Sequence, residues 1–161
     1  MGLAGNRRVG LVAALGFGGA TAVCGAALAQ PSPAAKAAQE RHANFQKLGA
    51  AFKALNDELR KSKPDLAKVQ AQTKTMAALS AALPTWFPRG SGMEARPQSE
   101  AKANIWTDAA GFSAKASAAQ AEVAKLNQAA MAGDMDAVKA QVRPTGGSCK
   151  ACHDVYRQAK S

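Results

Sequence analysis

The sequence predicts an all-α protein built as an antiparallel four-helix bundle, and three observations carry that prediction. Forty of the 161 residues are alanine and a single one, Ile105, is isoleucine. Alanine is the strongest helix former, whereas strands draw on β-branched residues. Apolar residues recur three and four apart over long stretches, the spacing of one helix face. Breaks marked by proline and glycine separate these stretches, and most are short, which favours antiparallel neighbours. The length fits one domain. With 47% hydrophobic and 20% charged residues, the composition is that of a globular protein, not of a disordered tail or a membrane bundle. A net charge of +10 hints at nucleic acid, yet 5% aromatics leave little to stack on bases.

Residues 1–29 read as a cleaved export signal. Arg7 and Arg8 form its basic start, Leu11 to Leu28 a glycine-broken apolar stretch, and Ala27-Leu28-Ala29 a small-x-small cleavage site. A membrane anchor needs ~20 firmly apolar residues. Thr21-Ala22-Val23 before Cys24 does not make a lipoprotein signal, and Val9-Gly10 fits a twin-arginine signal poorly. The remaining domain, 30–161, has 132 residues, a net charge of +8 and two cysteines, and its expected compartment is the periplasm.

The first helix begins at Ser32-Pro33, a capping residue followed by proline at the first helical position. Phe45, Leu48, Phe52, Leu55 and Leu59 form its apolar stripe. A second helix starts at Pro64-Asp65 and runs through Leu66, Val69, Thr73, Met76 and Leu79 towards Leu83. A long break from Pro84 to Pro97 follows, with Trp86 and Phe87 placed to cap the end of the core. The third helix carries Ile105, Ala109, Phe112, Ala116, Ala119, Val123, Leu126 and Ala130, and Gly133-Asp134 ends it and caps the next. Met135, Val138 and Val142 mark a fourth stretch. Pro144 and Gly146-Gly147 interrupt that stretch before a last helix from about Ser148. The many alanines on facing positions leave room for something bulky.

Cys149-Lys150-Ala151-Cys152-His153 is the strong chemical signal. C-x-x-C-H is the attachment motif of c-type haem. Residues three and four apart share a helix face, so both thiols can add to the vinyl groups of one porphyrin while His153 sits beneath its iron. A redox dithiol or half a zinc site are the alternatives for a bare C-x-x-C. The adjoining histidine, the export signal and the lack of a second Cys/His pair in the sequence count against both. One covalent haem c near the C-terminus is the expected cofactor.

With helices before it and the attachment motif near its end, the chain resembles the class II c-type cytochromes, above all the cytochrome c′ family. The residues that carry the resemblance are Cys-Lys-Ala-Cys-His-Asp-Val-Tyr-Arg at 149–157, Gly133-Asp134-Met135-Asp136, the Leu83-Pro84-x-x-Phe87 turn and Ile105-Trp106. It spans nearly all of 34–160. The spacing departs from the family's between Met93 and Asn104, as if a few residues were inserted. The resemblance implies a haem between the helices near one end of the bundle, with His153 as its only protein axial ligand. It further implies that Arg41 binds a haem propionate, that Phe45 faces the vacant side of the iron, and that Arg157 lies on the proximal side. Glu100, with Glu94 as the alternative, would touch the haem edge, and the first two helices would form a homodimer. His42 sits about 100° off the face that carries Arg41 and Phe45, which disfavours it as a sixth ligand.

No methionine lies between Gln30 and Met76, where low-spin relatives place a sixth ligand. The expected function is therefore binding of small diatomic gases, nitric oxide or carbon monoxide, at five-coordinate high-spin iron, in a role such as protection from nitrosative stress. A periplasmic electron carrier with an unknown redox partner is the alternative. An enzyme such as a peroxidase needs a distal acid–base pair, and only Phe45 and Arg41 are on offer there. Propionates and export also weaken a nucleic-acid or membrane role.

Overall fold

The computed structural model describes residues 30–159, so the export signal expected at 1–29 lies outside the described residues. Helix α1 spans Pro33–Leu59. The Ser32 hydroxyl accepts from the Ala35 backbone N–H at 3.1 Å, which satisfies one of the donors a helix start leaves open. Helix α2 is Leu66–Ala82, and the Asp65 carboxylate accepts from the Ala67 and Lys68 backbone N–H groups. The turn between them is fixed by Glu58. Although buried, its carboxylate accepts from Lys61 Nζ at 2.6 Å and from the Asp65 N–H at 2.9 Å.

A 3-10 turn at Leu83–Trp86 ends α2, and irregular chain leads to α3 at Asn104–Thr107. Helix α4 is Ala109–Met131. The third helix expected from Ile105 onward is thus two helices. Asp108 leaves helical geometry at φ −117° and ψ 57°, and its carboxylate accepts from the Gly111 N–H at 3.1 Å. A short acidic side chain that can bond nearby backbone competes with helix continuation and favours a cap.

Gly133, at φ +75°, turns the chain between α4 and α5. Its N–H donates to Ala130 O and that of Asp134 to Ala129 O, the paired closure that a left-handed residue permits. Helix α5 then runs without interruption over Met135–Tyr156. This corrects the break expected at Pro144 and Gly146-Gly147. Proline removes an N–H and crowds the carbonyl four residues back, but neighbours hold this segment helical. The Thr145 hydroxyl, fully buried, donates to Gln141 O at 2.9 Å and towards Glu122 O on α4 at 3.3 Å. A Cβ on Gly146 would stand 3.4 Å from the Phe52 ring of α1, so the glycine lets that ring lie against α5.

The long helices α1, α2, α4 and α5 form the bundle. Close backbone packing joins α1 to α2, α2 to α4 and α4 to α5. One core cluster, around Leu55, Val69, Met76, Leu126 and Val138, fills the middle of the bundle. A second, of Leu83, Trp86 and Ala116 with Phe45, Phe87 and Phe112 against it, closes one end, where Trp86 and Phe87 were expected. Among the described residues no helix is long and apolar enough to cross a membrane.

Candidate cofactor site

Helices α1 and α5 do not pack closely along their lengths, and a cavity of about 420 Å³ lies between them, bordered also by α2 and α4. That size falls within the ~300–1,000 Å³ typical of cofactor pockets. Alanine shapes one wall. Ala116 and Ala119 of α4 border the cavity, and longer side chains there would fill it. The space inferred from the alanine count is real.

The cavity gathers every residue that the sequence singled out as a site. Cys149, Cys152 and His153 line it from α5, Arg41 and Phe45 from α1, and Glu100 and Arg157 from the end nearest the loop. Glu94 belongs instead to a separate shallow pocket beside Trp106, where its Oε1 accepts from the Gly92 N–H at 3.1 Å. His42 is exposed and borders the cavity.

Burial pushes the pKa of both cysteine thiols up, with Cys149 adding to the effect at Cys152. Burial also lowers the pKa of His153, followed by the charge of Arg157, against the opposing pull of Asp154 and Glu100. The shift favours the neutral imidazole, the form that metal ligation requires. Its ring faces that of Phe45 with centroids 6.4 Å apart and planes at 74°. Phe45 in turn meets Trp86 and Phe87 edge-on at 5.1 and 6.1 Å. Two thiols and an imidazole on one wall, an apolar ring on the other and an apolar lining between fit a flat macrocycle. The residues present suit a haem.

Arg41 is buried, with 4% of its surface exposed. Its Nη1 donates to Trp86 O at 3.1 Å and Ser91 Oγ at 2.8 Å, and its Nη2 to Ser91 O at 2.6 Å and Ser99 Oγ at 3.0 Å. The guanidinium also lies over the Phe87 ring at 4.8 Å. Burial lowers its pKa, then Arg96, but a guanidinium stays charged at pH 7. Among the described residues it makes no ion pair: the oxygens it bonds are neutral, and the Glu94 carboxylate acts on it only from beyond contact. Ser91 and Ser99 were missed in the sequence, because loop serines 50 and 58 residues from their partner carry no spacing signal.

Tyr156 packs edge-on against Phe112 at 5.3 Å, and its hydroxyl donates to Asp108 Oδ2 at 2.6 Å. The bond to Asp108 pushes the phenol up to about 12, from an ordinary value of 10. A folded-state pKa above the unfolded one gives stability that is complete below pH 10 and fades as pH rises towards 12. The stability difference between the wild type and Tyr156→Phe is thus expected to shrink over that range, as denaturant titrations at stepped pH will show. A difference that stays constant would mean the bond to Asp108 contributes nothing.

Comparison with known proteins gives a consistent picture. The profile of the family described as Cytochrome C' matches residues 36–157. Cytochrome c' from Alcaligenes xylosoxydans xylosoxydans is 44% identical over 96 residues, 60% of this chain and 72% of that protein. Its counterpart from Rubrivivax gelatinosus is 42% identical over 93 residues, 57% of this chain and 70% of that protein. Among solved structures, the nitric oxide complex of a variant cytochrome c prime from Alcaligenes xylosoxidans superimposes with a TM-score of 0.71 at 31% identity, covering 81% of this chain and all of that one (100%). The crystal structure of cytochrome c' from Rubrivivax gelatinosus gives 0.72 at 32% identity, covering 80% and 100%.

Proposed function

The chain belongs to the cytochrome c′ family, whose members bind haem c, and from that premise we propose that it is an exported periplasmic protein that takes up small diatomic gases at its haem. When bound, the haem supplies an iron able to take an uncharged diatomic such as nitric oxide or carbon monoxide. Cys149 and Cys152 would hold it by thioethers, the product of adding each S–H across a vinyl group with no net oxidation or reduction. His153 offers its imidazole to the iron from the same helix face.

The observation that carries this reading is the pairing of Phe45 with His153 across the cavity at 6.4 Å. The group that faces the histidine is a phenylalanine ring, which can neither ligate iron nor hold water or an anion by hydrogen bonding. Arg41, a buried cation without a carboxylate partner, is suited to take a propionate as its counter-ion.

The test is the absorption spectrum of the reduced protein. A high-spin, five-coordinate spectrum that converts on adding nitric oxide or carbon monoxide is expected. A sharp low-spin spectrum indifferent to carbon monoxide would overturn gas binding and favour electron transfer. Phe45→Ala is expected to speed carbon monoxide association about tenfold, since displacing the ring breaks edge contacts worth ~0.5–1.5 kcal/mol each. Flash photolysis reads this, and an unchanged rate would mean Phe45 does not gate the cavity.

A further inference from the structure

The stretch that departs from the family's spacing has a definite place at the end of α5. The Lys102 N–H donates to Tyr156 O at 3.0 Å and the Gln158 N–H to Glu100 O at 2.7 Å, an antiparallel bridge between Ala101 and Arg157. Asn104 Nδ2 donates to Val155 O at 3.3 Å and Lys102 Nζ to Asp154 O at 3.4 Å. The last carbonyls of a helix have no partner within it, and here residues 102–104 take three of them. The strap and the helix end are thereby locked together, which fixes Glu100 relative to His153.

From that fixed position, Glu100 Oε2 accepts from Arg157 Nε at 2.6 Å and lies 2.5 Å from Arg157 Nη2. Arg157 caps the end of α5 in extended geometry, and its backbone N–H donates to His153 O at 3.0 Å, which ties it to the histidine. Glu100, Arg157 and His153 line the same cavity, so both charges of the pair face the space beside the imidazole. With side chains 37% and 40% exposed, such a pair adds little to stability. Its measurable consequence lies in the field at His153.

We propose that Glu100 is a positioning residue: it holds the Arg157 guanidinium beside His153 and offsets its charge there, so that the pair sets the electrostatics on the histidine side of the haem. A haem's reduction potential follows the charge around its iron and axial ligand. The proposal rests on His153 being the iron ligand.

Spectroelectrochemical titration of the haem-loaded protein tests it. Glu100→Gln keeps an oxygen for Arg157 but removes the negative charge. The uncompensated cation then disfavours the ferric state, and the potential is expected to rise, by about a three- to tenfold change in the redox equilibrium for a half-exposed pair. Arg157→Gln leaves the carboxylate alone and is expected to lower the potential. The double variant should fall between the two, and Glu100→Asp should restore the wild-type value. Asn104→Ala removes one of the four strap hydrogen bonds without changing charge, and with the other three holding Glu100 it is expected to leave the potential in place. A Glu100→Gln potential that does not move, or that falls with Arg157→Gln, overturns the proposal. So does an Asn104→Ala shift equal to that of Glu100→Gln, because the potential would then report seating of the strap. The gas-binding reading fails separately, on the spectrum of the unmutated protein.

Discussion

Replacing Cys149 and Cys152 together by serine is expected to yield a chain from which acidified organic solvent extracts all the haem, whereas the wild type keeps its haem through the same treatment. Each single variant should keep the haem on one thioether, with one vinyl group left in the pyridine haemochrome spectrum. His153→Ala should keep the haem covalently and lose only the wild-type spectrum, because tether and ligand are different side chains. The effect on folding is expected to be as large as the effect on retention. Helices α1 and α5 are separated by a cavity of about 420 Å³. That cavity is partly open to solvent and is lined by Leu48, Phe52, Phe87, Phe112 and Val123, apolar surface that a haem would cover and whose exposure to water disfavours the open bundle. The haem-free double variant is therefore expected to lose its cooperative thermal transition by circular dichroism. A double variant that melts like the wild type would show that the bundle closes without its cofactor. Haem surviving extraction would show attachment elsewhere.

The parts of this fold that were legible in the sequence are those fixed by local chemistry. Ser32-Pro33, Asp65 and Asp134 each cap a helix where the sequence placed one, since a cap needs only its own side chain and the next turn. The thiols and imidazole were legible because the three- and four-residue spacing of a helix puts them on one wall. What was not legible depends on distant partners. Pro144-Thr145-Gly146-Gly147 reads as a break, but Thr145 and Gln141 bond to Glu122 on α4 and the Phe52 ring lies against Gly146, contacts that support α5 through this stretch. The break at Asp108 escaped for the same kind of reason, as Tyr156, 48 residues away, also engages its carboxylate. Glu100 and Arg157 were each placed near the haem by family resemblance. That they bind each other across 57 residues has no signature in spacing.

Arg41→Met is expected to destabilise the protein by about 2–4 kcal/mol, more than its charge alone would suggest. A buried cation without a carboxylate is itself unfavourable, so deleting it removes a desolvation cost. The loss comes from what it leaves behind. Ser91 Oγ still donates to Pro88 O at 2.7 Å, and Ser99 Oγ still accepts from the Ala101 N–H at 3.3 Å. Trp86 O and Ser91 O lose the donors the guanidinium gave them, at ~1–3 kcal/mol for each buried group left unsatisfied. Arg41→Lys is expected to recover little, because one ammonium cannot span the separated oxygens that the planar fork reaches. Urea unfolding reads the change as a lower midpoint at similar slope; an unchanged midpoint would mean that the clasp is energetically idle. Its loss should also reach α5. Ser99, one of the four acceptors, directly precedes Glu100, so a loop freed from Arg41 loosens the carboxylate that holds Arg157. Arg41→Met is therefore expected to weaken the effect of Glu100→Gln on the potential, while Asn104→Ala, made in the Arg41→Met background, begins to shift it.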